Sequence, residues 1–158
     1  MNQENLQSYL HDHLAGATTG LELLDFLISV QDDQSLPQFW VTLREDVHAD
    51  QETLRSLVDA LGFTPGSTRQ AAAWALEKLA RVKFLLAGPG KGSLGRLEAL
   101  EALSLGIEGK AALWAALAMV PDAPPPLRAL DLAHLQARAR EQRALVETHR
   151  LEAAAAAL

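Results

Sequence analysis

The chain of 158 residues contains no cysteine, which excludes disulfides and thiolate metal sites. Aromatic residues are few, at 5%. Positive charge is in the minority: 14 Lys and Arg stand against 20 Asp and Glu, for a net charge of −6. That balance argues against a broad nucleic-acid surface and against binding to anionic membranes. No uninterrupted apolar run approaches the ~18 residues of a membrane span, so none is expected. The opening residues, MNQENLQSYLHDH, lack a basic n-region and an apolar h-region. No signal peptide is expected, and the expected location is the cytoplasm. Alternation of the β type does not occur over a useful length. What remains is 49% hydrophobic and dominated by Ala and Leu, the composition of packed helices. The length fits one domain with one core.

Five helical segments follow from the periodicity. Helix A spans about residues 5 to 30, with Leu6, Leu10, Ala17, Leu21, Leu24 and Ile28 at three-, four- and seven-residue spacing. QDDQS interrupts it. Ser35 and Pro37 open helix B, which reaches about Leu61 and stops at Gly62. Ser67 with Gln70 has the form of a capping box for helix C, which runs to about Leu86. AGPGKGS is a Gly-rich break without the full spacing of a phosphate-binding loop. Helix D, from about Leu94 to Val120, is apolar around much of its circumference, which predicts a central position. PDAPPP ends it, and Pro126 can occupy the first turn of helix E, expected to run to the Ala-rich end.

The short A–B and D–E connections predict two antiparallel pairs, and helix C is long enough to carry the chain back along the bundle. The expectation is an all-α, single-domain, five-helix up-down bundle with a long helical crossover. This layout resembles the ferritin-like four-helix-bundle superfamily. The resemblance covers most of the chain and rests on the order and length of the segments. It implies a divalent metal or di-metal centre of iron, manganese or zinc, with ferroxidase or oxygen-activating chemistry. Ligands there would be a Glu on each of two helices and Glu-x-x-His on the other two. The nearest linear matches are Glu22, Glu45-x-x-His48, Glu101 or Glu108, and Asp131-x-x-His134.

Ligands must face the core, and a helix turns ~100° per residue. On helix B, Leu43, Val47, Leu54 and Val58 share one stripe, and Asp50 lies within it, whereas Glu45 falls opposite and His48 well off it. His13 lies seven residues after Leu6 and four before Ala17, inside the stripe of helix A. On helix E, Leu130, Ala137, Ala144 and Leu151 recur every seven residues, placing Glu141 in their stripe and His134 near its edge. Glu108 lies on one flank of the helix D stripe that contains Leu97, Ser104 and Ala111. His13, Asp50, Glu108, His134 and Glu141 therefore form the candidate metal set, and Glu45-x-x-His48 reads as a solvated face. Burying lone carboxylates is costly, so the other reading is a metal-free polar layer. In that reading His13 pairs with Asp50, and Glu141 with an Arg or a backbone group. A homo-oligomer through the Ala-rich last helix belongs to this second reading, which makes the chain a structural or interaction module. Arg138, Arg140 and Arg143, interleaved with Glu141 and Glu147, read as mixed surface.

Overall fold

The computed structural model describes residues 2–29, 38–63 and 92–158. Among them every regular element is helical: α1 Gln3–Ser29, α2 Gln38–Ala60, α3 Ser93–Ala118, α4 Pro125–Arg128 and α5 Leu132–Ala157. The expected helix C, its capping box and most of the AGPGKGS break lie outside the described residues.

The ends of these helices follow local chemistry. Asn2 Oδ1 accepts the Asn5 N–H at 3.1 Å and caps α1. At the far end of α2, Gly62 takes a φ of +68°. Its N–H donates to the Asp59 carbonyl at 3.0 Å, and the Phe63 N–H donates to Val58 at 3.1 Å. This is the paired closure that a left-handed residue permits after a helix. Expected helix E is corrected. Pro125–Arg128 forms one separate turn, and the long helix starts afresh after Asp131, whose Oδ1 accepts the His134 N–H at 3.0 Å. Asp131-x-x-His134, counted above among the metal-like spacings, is a helix cap.

Side-chain pairs set the directions. Gln51 Nε2 donates to Thr18 Oγ1 at 3.0 Å, and Arg44 Nε to Asp25 Oδ1 at 2.5 Å. Seven residues forward on α1 is thus seven back on α2, so the two are antiparallel. Arg150–Glu101 at 3.4 Å and Arg143–Glu108 at 3.2 Å give the same relation for α3 and α5. One apolar cluster joins Leu24, Leu27, Trp40 and Leu43 to Leu100 and Leu103. Another joins Leu6, Leu10, Leu54 and Val58 to Trp114 and Leu117. Helices α2 and α3 therefore run the same way, and α2 ends at the end of the bundle opposite to where α3 begins.

Candidate polar site in the bundle interior

The two apolar clusters are separated by a polar layer. Asp50, on the inward face of α2, is 2% exposed. Lys110 Nζ from α3 donates to Asp50 Oδ2 at 2.5 Å and to Gln142 Oε1 of α5 at 2.5 Å. Arg138, one turn before Gln142, donates through Nη2 to the other oxygen, Asp50 Oδ1. Gln142 is 3% exposed. The neighbour of Asp50, Gln51, is also buried, and its bond to Thr18 extends the layer to α1. Each of the four long described helices thus supplies at least one member.

The register explains why these residues meet. Lys110 lies three residues after Ile107 and four before Trp114, both buried, so it falls in the inward stripe of α3. Gln142 sits between Ala139 and Val146 in the inward stripe of α5. Burial pushes the Lys110 ammonium below the usual lysine range; Asp50 opposes that shift, and Arg138 adds to it. The layer is richer in donors than in acceptors. Both Asp50 oxygens and Gln142 Oε1 are taken, while the buried Arg138 Nε and Gln142 Nε2 have no hydrogen-bond partner.

A pH dependence follows from Lys110. Its folded pKa lies below the unfolded value near 10.5, so between those two values the unfolded chain binds more protons than the folded one. Stability contributed at this group therefore rises with pH through that alkaline window. Urea midpoints taken from neutral pH upward should show a rising component that disappears in Lys110→Met. An identical alkaline profile in the variant would exclude Lys110 as its source.

The other expected site residues do not join the layer. His13 is half-buried and packs edge-on against Tyr9, with ring centroids 4.6 Å apart. Burial lowers its pKa, and Asp12 opposes this. No hydrogen bond or ion pair joins it to Asp50, so the expected His13–Asp50 pair is replaced by Lys110 and Arg138. Glu108 is exposed and meets Arg143 on the surface. His134 and Glu141 are exposed, as are Ala137, Ala144 and Leu151. The inward stripe of α5 is instead Leu135, Ala139, Gln142, Val146 and Ala153, which corrects the helical phase read from the sequence. Glu45 and His48 are exposed, on the outer face as expected, and Glu22 is half-buried. Among the described residues no group of three or more His, Asp or Glu side chains is gathered in metal-binding geometry. No described helix is long and apolar enough to cross a membrane.

A second cluster was not foreseen. His149 of α5 stacks at 4.6 Å from Phe39 and 5.2 Å from Trp40, both on the first turn of α2. Its Nδ1 lies 3.2 Å from Glu152. With Asp50–Arg138, this contact ties α2 to α5 through long side chains.

No protein family, curated protein or solved structure matches this chain.

Proposed function

We propose that this chain is a metal-free helical-bundle module with a structural or protein-interaction role, built on the ferritin-like plan of two helix pairs joined by a crossover. The pairing of α1 with α2 and of α3 with α5, and the common direction of α2 and α3, support that plan. The observation that carries the metal-free reading is the occupancy of Asp50. A divalent cation needs free oxygen or imidazole lone pairs. Here the buried carboxylate is already paired with an ammonium and a guanidinium, and the unpartnered groups of the layer are donors. A fixed cation of the protein thus stands where a metal ion would otherwise balance the carboxylate. The donor set does not fit iron, manganese or zinc.

The test is elemental analysis of protein purified without a metal-affinity tag, followed by calorimetric titration with iron(II), manganese(II) and zinc(II). The expected result is no stoichiometric metal as purified and no saturable heat at the bundle interior, with Asp50→Asn indistinguishable from the natural chain. Stoichiometric metal lost in Asp50→Asn would establish the metal-dependent alternative.

A further inference from the structure

The heptad stripe of α5 that fails to face the core is the most regular apolar pattern left on the described surface. Ala137, Ala144 and Leu151 on α5 and the terminal Leu158 are exposed; Leu151 is 54% exposed and Leu158 94%. A seven-residue repeat on a helix of 26 residues is the spacing by which one helix packs lengthwise on another. Within the chain this stripe is turned away from the core residues Ala139, Gln142 and Val146.

We infer that this face pairs with the same face of a second copy, antiparallel, about a two-fold axis through Ala144. The stripe is self-complementary only in that direction. Ala137 then lies opposite Leu151 of the second copy, and Ala144 opposite its own equivalent. Large meets small at the Ala137–Leu151 level, and alanine at the axis permits close approach, near the ~8 Å lower end of helix spacing. A parallel pairing would instead set Leu151 against Leu151 and leave the alanines facing a gap.

The charges beside the stripe agree with the same axis. A two-fold perpendicular to the helices brings each flank of α5 against the same flank of its mate. Arg140, four residues before Ala144, then meets Glu147, three residues after it, and the contact occurs twice. Arg140 is exposed, and the Glu147 side chain, held locally by Arg150, keeps 39% exposure for a second partner. On the other flank Glu141 meets Thr148. A single helix pair of roughly 39 Å is a small interface, which places the dimer in weak, concentration-dependent equilibrium. This pairing is independent of whether the bundle interior holds metal.

Sedimentation velocity across a dilution series, combined with cysteine cross-linking, tests it. The natural chain should shift from dimer to monomer on dilution. Ala144→Glu, which sets two carboxylates face to face at the axis, should raise the dissociation constant by roughly tenfold or more with an unchanged circular dichroism spectrum. Because the chain has no cysteine, Ala144→Cys should form a disulfide-linked dimer on mild oxidation, and Ala137→Cys should not. A monomer at every concentration, a dimer indifferent to Ala144→Glu, or efficient self-cross-linking through Ala137→Cys would each overturn the arrangement.

Discussion

Asp50→Ala is expected to destabilise the fold by about 3 kcal/mol, the lower part of the ~3–5 kcal/mol range for breaking a buried charged pair. The cost arises from what is left behind. Lys110, with its side chain 14% exposed, and Arg138, 25% exposed, would lose the one carboxylate with which both pair. Arg138 has an edge towards solvent and can relax outward, whereas Lys110 cannot do so fully, which is why the lower part of the range applies. Glu45→Ala, on the outer face of the same helix, should cost roughly 0.5 kcal/mol or less. Urea midpoints of the two variants measure the contrast. Equal costs would mean that Asp50 is not held as described.

Trp114→Ala should cost about 4 kcal/mol, within the ~3–5 kcal/mol seen when a buried aromatic is cut to alanine. Trp114 is 1% exposed in the cluster with Leu6, Leu10, Leu54 and Leu127. Its indole N–H has no hydrogen-bond partner, so the whole loss is packing. Leu105→Ala, on the same helix but 74% exposed, should change stability by less than about 0.5 kcal/mol. The same denaturation measured for these two variants checks the burial pattern of α3. A small effect at Trp114 would remove it from the core.

Much of this architecture was legible in the residues. Leu43, Val47, Leu54 and Val58 set the phase of α2 without ambiguity, because Glu45, His48 and Arg55 mark its wet side. That phase put Asp50 inside and left Glu45-x-x-His48 outside. Gly62 marked the end of α2 through its conformational freedom. The partners of Asp50 were harder to read. Helix α3 is apolar on most of its circumference, so it offers no polar face against which Lys110 stands out, although its spacing from Ile107 and Trp114 places it inward. Helix α5 carries two competing seven-residue patterns. The stripe of Leu130, Ala137, Ala144 and Leu151 is uniformly apolar and outweighs the true inward stripe, which contains Gln142 and a small Ala139. The error moved Glu141 inward and read Arg138 as surface. Asp131-x-x-His134 shows a further limit of spacing alone, since a helix cap and a metal motif can use the same interval between an acidic residue and a histidine.

The layer has a consequence for how the bundle finds one arrangement. Leu and Ala cores tolerate sliding, since neighbouring apolar layers are nearly equivalent. A charged group from each of α2, α3 and α5 meeting at one level penalises any slip that would leave one of them buried alone. Thr18–Gln51 applies the same constraint to α1. In this account the polar residues supply register, and the leucines supply most of the burial.

A double-mutant cycle measures the interaction of Asp50 with Arg138 inside the protein most directly. Urea midpoints of the natural chain, Asp50→Ala, Arg138→Met and the double variant give the coupling energy. The double variant is expected to be more stable than the sum of the single losses implies, by about 1 kcal/mol or more, because each single change leaves the other member of the pair buried without its partner. Losses that add within about 0.5 kcal/mol would contradict it.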